Sequence, residues 1–337
     1  MLRETLDRLP PLVPPGRTLV VTSAAIADAV RREAPELGEA GVLAEPRGRN
    51  TAAAIGVAAA AVALREGRGA ALAVLPADHA VGDPAALRSA LARAFEVAES
   101  APRIVTLGIR PDRPETGYGY ITGGERLAEG TGPASASGRE GAGPRGPERS
   151  SPGDAEAFAI EAFHEKPPRE EAERLVRGGR SWWNAGLFVA RAGTLLDEIA
   201  RAQPQLGGLL LPLLEPGRWD TAFAAVYERA PSISFDHAVM EHTAAGAVLP
   251  VELDWDDVGS WEAVARLVGA DATGNVVRGA GRVRDASGNI LYAEGGRITV
   301  IGASGLLVVH AGDETFVCAR ERLPEVRELL RSLETPA

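Results

Sequence analysis

Lys166 is the single lysine among 36 basic side chains; the other 35 are arginine. Arginine supplies generic positive charge throughout, so an ammonium at this position calls for a specific duty. Its setting is Phe163-His164-Glu165-Lys166-Pro167. There the ammonium could bind a sugar phosphate as a compact point charge while Glu165 accepts sugar hydroxyls; the plain alternative is a surface ion pair. A second candidate is Leu75-Pro76-Ala77-Asp78-His79, where a carboxylate follows an apolar run. Asp78 could hold Mg²⁺ against nucleotide phosphates, because Mg²⁺ takes hard oxygen ligands and few protein contacts. A strand-terminating Asp that caps the next turn fits the pentapeptide equally well, and His79 reads as a packing or hydrogen-bonding residue.

Glu45-Pro46-Arg47-Gly48-Arg49-Asn50-Thr51-Ala52 runs from a strand end through a glycine-containing loop into a helix. Backbone N–H groups at such a junction favour an anion, Arg49 offers a planar guanidinium, and Asn50 and Thr51 offer donors and acceptors to a base or ribose. An ordinary N-cap at Asn50 is compatible with the same residues. Trp182-Trp183-Asn184-Ala185-Gly186 combines indole faces that can stack on sugars, an amide that bonds hydroxyls in two directions, and a glycine that permits close backbone approach; core packing is the usual use of Trp. In Asp254-Trp255-Asp256-Asp257-Val258-Gly259-Ser260-Trp261 the adjacent carboxylates point to opposite sides of an extended chain, so at most one of Asp256 and Asp257 could join a metal held by Asp78. Gly117, Tyr118 and Gly119 could bring backbone amides to a sugar or simply form a β-turn. The acids between Asp236 and Glu241 could reach a pocket, but read as solvated helix charges.

The elements that must carry these residues follow from periodicity. Leu2, Leu6 and Leu9 before Pro10 read as an amphipathic helix. Thr18 to Thr22, Val42 to Glu45, Ala70 to Leu75 and Ile104 to Leu107 have the β-branched or apolar density of buried strands, with helices between them at Ala24 to Ala34, Thr51 to Arg65 and Pro84 to Glu99. This β-α-β-α-β order predicts an open, doubly wound parallel sheet, and ligands of such sheets gather at strand C-terminal ends. Residues 125–155 are Gly, Pro, Ser, Ala, Arg and Glu with almost no large apolar side chain, and read as a disordered surface insertion. Order resumes at Phe158 to Phe163, with a helix near Glu170 to Arg177. After about residue 265, short β-rich pieces separated by glycines predict a small all-β module closed by a helix over Leu323 to Leu333.

The composition narrows the class. The 337 residues carry a net charge of -10, which argues against broad nucleic-acid binding and against a polybasic membrane anchor, though not against a local phosphate pocket. Cys318 is the only cysteine, so an intramolecular disulfide and a cysteine-rich zinc site are excluded and a cytoplasmic location is expected. The first residues lack the basic-then-apolar layout of a secretory signal. The longest apolar run, Ala52 to Leu64, is shorter than the ~20 residues needed to span a bilayer and reads as a buried helix.

Taken together and in order, EPRGRNTAAAI, LPADH, RPETGYGYI, FHEKP, WNAGLF, SISFDHAVMEH and WDDVGSW resemble the successive motifs of the sugar nucleotidyltransferases, most closely the short-form mannose-1-phosphate guanylyltransferases. The E-P-x-G-R-N-T-A form is the part that points to guanylyl transfer. The resemblance implies a Rossmann-like, doubly wound, GT-A-like nucleotidyltransferase domain over residues 1–265 and a small β-helix-like domain over 266–337. It further implies transfer of GMP from GTP to mannose 1-phosphate with release of pyrophosphate. Asp78 and Asp257 would hold Mg²⁺, Lys166 would contact the sugar phosphate, and Glu165 and Asn184 would bind sugar hydroxyls. The backbone from Gly117 through Tyr118 to Gly119 would approach the sugar, with Gly186 allowing close contact. Glu45, Arg49, Asn50 and Thr51 would line the nucleotide.

One family feature is missing from these residues: the opening strand and glycine-rich loop, G-G-x-G-[TS]-R-L-x-P-x-[ST]-R-x-x-x-P-K. The expectation is a start codon upstream of Met1 by one βα unit, about 30–40 residues, and little turnover from the 337-residue form. The rival expectations are a non-catalytic sugar-nucleotide or sugar-phosphate binding protein, a nucleotidyltransferase of other base or sugar preference, and a glycosyltransferase with a similar Asp–metal site. The apolar strands of the tail could also provide a homodimer surface.

Overall fold

The computed structural model describes residues 1–127 and 156–326. Most of the expected insertion and most of the expected closing helix lie outside the described residues. Two compact units divide the chain, Met1–Trp255 and Asp256–Ala337.

The first unit opens with α1 (Leu2–Asp7), β1 (Val20–Ser23), α2 (Ala27–Glu33), β2 (Val42–Glu45), α3 (Asn50–Glu66) and β3 (Ala71–Val74). It continues through β4 (Ala80–Val81), α4 (Pro84–Ser100), β5 (Ile104–Ile109), β6 (Tyr120–Arg126), β7 (Phe158–His164), α5 (Arg169–Gly178) and β8 (Ser181–Arg191). The helices α6 (Ala192–Ala202), α7 (Pro204–Leu210) and α8 (Trp219–Arg229) follow, then β9 (Gly246–Val251). Glu125 and Arg126, expected in the insertion, instead complete β6.

The sheet corrects the expectation of an all-parallel array. β1 and β2 pair in parallel, and six further strands form a mixed sheet in the order β3-β8-β5-β9-β7-β6. β3 and β5, joined by α4, point the same way as a βαβ crossover requires, but β8 lies between them and runs antiparallel to both. The sequence periodicity reports the crossover; it cannot report a strand inserted from far downstream. Among the described residues no pairing joins β1 to β3, yet Val21, Leu43, Leu72 and Val74 all pack on one core cluster beneath α3.

Both faces of the mixed sheet are covered. Phe188 and Ala190 of β8 face the α3, α6, α7 and α8 side, whereas Leu187 and Val189 face Leu87, Leu91 and Ala94 of α4. Strands buried on two faces read as continuous apolar runs, which is why their positions are visible in the sequence. The Ala-rich stretch of α3 is a buried helix as expected. A Cβ at Gly56 would stand 2.5 Å from Leu210 Cδ1, so a small residue there is what allows α3 to approach α7. No described helix is long and apolar enough to cross a membrane.

The second unit takes in α9 (Trp261–Val268) and the strands β11 (Val276–Arg278), β12 (Gly281–Arg284), β13 (Ile290–Glu294), β14 (Ile298–Ile301), β15 (Leu306–Ala311) and β16 (Glu314–Ala319), after the short β10 (Trp255–Asp256) at the division. Parallel pairing of β11, β13 and β15, and of β12 with β14, stacks successive coils as in a β-helix. The register sets Asn275 above Asn289, and both are buried. Asn289 Nδ2 donates to Asn275 Oδ1 (2.9 Å) and to Ala303 O (3.0 Å), while Leu306 N donates to Asn289 Oδ1 (2.9 Å). This ladder satisfies polar groups at the turns of adjacent coils. Gly274, Gly288 and Gly305, one before each coil's first rung, all have positive φ.

Candidate functional site

Three strand ends converge in the first unit. β6 pairs Tyr120 with His164 of β7 and with Trp183 of β8. Continuing each register one residue outward brings Gly119 opposite Glu165 on one side and Asn184 on the other, and Asn184 N donates to Gly119 O at 2.8 Å. A Cβ on Gly119 would lie 2.6 Å from Glu165 Oε2, so only glycine leaves that carboxylate its place. Lys166 follows at φ 49°, an uncommon conformation for a side-chain-bearing residue and one found at functional turns. Its largely exposed ammonium pairs with the nearly buried Glu165 carboxylate.

A bulge in β8 adds the fourth component. Thr106 of β5 pairs with Phe188 and Gly108 with Asn184, so Ala185, Gly186 and Leu187 stand opposite Leu107 alone. Extra residues of this kind re-aim side chains beside active sites. Here Gly186 takes φ +67° and lies where a Cβ would meet His79 Cε1 at 3.4 Å and Pro76 Cγ at 3.6 Å. The bulge thereby sets Gly186, two residues after Asn184, against the Leu75–His79 loop that carries Asp78. That loop is fixed by His79, whose Nδ1 accepts from Trp255 Nε1 (3.2 Å) and whose carbonyl accepts from Arg8 (2.9 Å).

The Asn184 side chain is buried and highly connected. Its Oδ1 accepts from Thr106 Oγ1 (2.9 Å) and Gly186 N (3.2 Å), and its Nδ2 donates to Asp236 Oδ1 (2.8 Å). Asp236 opens a single π-helical turn, Asp236–Met240. Burial, and then the nearby Glu165 carboxylate, push its pKa up to about 6, against the opposing effect of Lys166 and the Asn184 amide. Asp236 is therefore part of the site, which corrects its reading as a solvated helix charge. Thr106 carries no signal in the sequence, since its partner is reached only through the bulge.

Several candidates turn out to hold the scaffold. Thr51 Oγ1 accepts from Phe235 N (2.8 Å), and Ala52 N donates to Ile233 O (3.2 Å), so the start of α3 pins the segment that leads into Asp236. Arg49 directs its guanidinium to Tyr227 O (2.7 Å) and Glu228 O at the C-terminal end of α8, where carbonyls lack helical partners. Arg49, not Asn50, occupies the cap position of α3; exposed Asn50 has φ 63° and accepts Thr51 N on its own Oδ1 (2.8 Å). Burial raises the pKa of Glu45, which lies beside the hydroxyl of buried Tyr227. Both indoles are engaged by the scaffold: Trp182 stacks on Phe158, and Trp183 is buried in a T-shaped contact with Tyr118, with the Arg113 guanidinium over its ring. The Tyr118 ring is likewise packed, between Trp183 and Trp255, and Gly117 N donates to Glu115 Oε1 at 3.2 Å.

The carboxylates considered for a metal differ in their surroundings. Asp78 is exposed and makes no hydrogen bond or ion pair with a described residue. Within the second unit, Asp256 is buried in a two-pronged ion pair with Arg266 (3.0 and 2.7 Å), while half-buried Asp257 accepts Gly259 N at 2.9 Å within its own loop. Asp256 thus has a structural partner, and Asp257 is the one whose carboxylate is not committed to an arginine. Among the described residues no three His, Cys, Asp or Glu side chains gather as a metal cage, and hard, singly placed carboxylates of this sort suit Mg²⁺ completed by substrate phosphates and water.

Comparison with known proteins sets this site in a family. The nucleotidyl transferase family model matches residues 15–273. The chain belongs to the nucleotidyl transferase family. The β-helix domain of the mannose-phosphate isomerase/GMP-like type matches residues 282–333 of this nucleotidyl transferase. It is 35% identical to the mannose-1-phosphate guanylyltransferase of Escherichia coli, over 87% of this chain and 58% of that protein. It is 34% identical to the alginate biosynthesis protein AlgA of Pseudomonas aeruginosa, over 90% of this chain and 58% of that one. The chain therefore spans a little over half the length of these relatives. The crystal structure of mannose-1-phosphate geranyltransferase from Thermus thermophilus superimposes with a TM-score of 0.81 at 38% identity, covering 99% of this chain and 89% of that one.

Proposed function

We propose that this nucleotidyl transferase moves a guanylyl group from GTP to mannose 1-phosphate, giving GDP-mannose and pyrophosphate. The observation that carries the reading is the convergence of Gly119, Glu165, Lys166 and Asn184 on one point. A cation beside a buried carboxylate and an amide is the equipment for a molecule that is anionic at one end and hydroxylated at the other. Relatives of the chain that bear the name mannose-1-phosphate guanylyltransferase support the choice of sugar.

In this reading the Lys166 ammonium draws in the sugar phosphate and Glu165 accepts sugar hydroxyls. A phosphate oxygen then attacks the α-phosphorus of GTP in line. The new bond joins that oxygen to phosphorus, and the bond to the β-phosphate oxygen breaks with its electron pair leaving on pyrophosphate. No proton need move to a side chain, so positioning and charge neutralisation supply the acceleration. Mg²⁺, when bound, would neutralise phosphate charge. Asp78 is the carboxylate we assign to it, and Asp257 is a separate candidate ligand. A cytoplasmic location and a homodimer are further parts of the proposal.

Pyrophosphate release tests it. The proposal predicts that any release the chain supports requires GTP, mannose 1-phosphate and Mg²⁺ together and is lost in Asp78→Ala. Release without the sugar phosphate, or equal release from UTP, contradicts it. Saturable binding of mannose 1-phosphate without product in either direction would favour the non-catalytic binding protein.

A further inference from the structure

The hydrogen bonds of Asn184 limit what it can offer a ligand. A side-chain amide has two N–H donors and one carbonyl oxygen. The oxygen already accepts from Thr106 Oγ1 and Gly186 N, and one N–H is held by Asp236 Oδ1 at 2.8 Å. The Thr106 hydroxyl can donate or accept and does not choose between orientations, but rotating the amide by half a turn would bring its N–H₂ group against the Gly186 N–H and its oxygen against the Asp236 carboxylate. Each of those encounters is repulsive, so the orientation is locked with a single N–H remaining.

We infer that Asp236 is a positioning residue for sugar recognition: by anchoring the Asn184 amide it leaves one donor at a fixed place beside the Glu165 acceptor, and this fixed donor–acceptor pair selects the configuration of the sugar hydroxyls. The inference rests on the proposed sugar 1-phosphate site. Asp236 acts through Asn184, and its own place is fixed from the far side, because Thr51 Oγ1 and Ala52 N hold the segment before it. Such a chain runs from the first residues of α3, through the π-helical turn, to the bulged strand β8. Its proximity to Glu165 makes the carboxylate a costly choice for a group with no more than a packing duty, since a neutral isostere would accept the same bond without like-charge repulsion. What a carboxylate adds is acceptor-only character on both oxygens, which forbids the flipped amide; a neutral amide at position 236 could turn and donate.

The test is a pair of binding titrations of the full chain, with mannose 1-phosphate and with its C2 epimer glucose 1-phosphate. A site that bonds a hydroxyl discriminates strongly against a ligand that cannot meet that bond, so the preference for the mannose epimer should fall by about tenfold in Asp236→Ala. Asp236→Asn, isosteric but able to turn its amide and donate, should keep the fold and lose part of the preference, and guards against a result that reflects misfolding of the alanine variant. Thermal melts on both proteins check the fold. If Asp236→Ala melts cooperatively and keeps the wild-type preference, Asp236 is not a positioning residue and the inference is overturned. If the wild-type chain binds neither sugar phosphate, the proposed function falls and takes this inference with it, a result distinct from unchanged preference in a variant that binds.

Discussion

At the scale of residues, Lys166 and Asp236 show what can and cannot be read in advance. Lys166 is legible because 35 arginines make one ammonium conspicuous, and its neighbour Glu165 names the chemistry. Asp236 lies in a motif that can be seen, but its partner Asn184 is 52 positions away in sequence, and only the fold joins them. Arg49 and Thr51 carry scaffold bonds that the sequence does not show. Their types suit a nucleotide, and part of their polar capacity holds the end of α8 and Phe235 N. The raised pKa of Asp236 also has a measurable consequence. Its folded-state pKa of about 6 exceeds the unfolded value of about 3.9. Folding stability from this group is therefore fully present below about pH 4 and is lost as pH rises through about 6. Asp236→Asn removes that dependence. It should be more stable than the wild type at pH 7, by roughly 3 kcal/mol, with the advantage shrinking to nothing by about pH 4. Chemical denaturation across this range gives the comparison, and a constant difference at all pH values would show that Asp236 is not destabilised by ionisation in the folded protein.

At the scale of elements, the alternation of apolar and amphipathic segments locates most strands and helices because burial on two faces leaves an unmistakable pattern. Order within the sheet is hidden, since the insertion of β8 between β3 and β5 joins segments far apart in the chain. The bulge opposite Leu107 is hidden for the same reason, although Gly186 hints at it. The glycine-separated pieces of the tail can be read as β-rich; that Asn275 and Asn289 stack into a ladder depends on the coil register. That ladder carries a prediction. Asn289→Ala leaves Leu306 N and Ala303 O without their partner in the interior of the coil, while Asn275 Oδ1 keeps only the backbone N–H of position 289. Each buried polar group left unpaired costs about 1–3 kcal/mol, so the variant should lose at least about 2 kcal/mol of stability. The loss should appear in the unfolding of the second unit. A denaturation midpoint unchanged from wild type would show that water replaces the ladder without cost.

At the scale of the whole molecule, a net charge of -10 sets the general field against anionic substrates, so any affinity for a phosphate must come from local cations. Lys166 is the local cation at the strand ends where Glu165 and Asn184 meet, and the central claim is that this point receives a sugar phosphate. Titration of mannose 1-phosphate into the wild-type chain and into Lys166→Ala, followed by calorimetry at moderate ionic strength, tests that claim without requiring turnover. A sugar-phosphate site at this point predicts saturable one-site binding by the wild type and a loss of about tenfold or more in the alanine variant, as expected for removal of a charge-assisted contact to phosphate. Equal affinity of the two proteins for mannose 1-phosphate would contradict it.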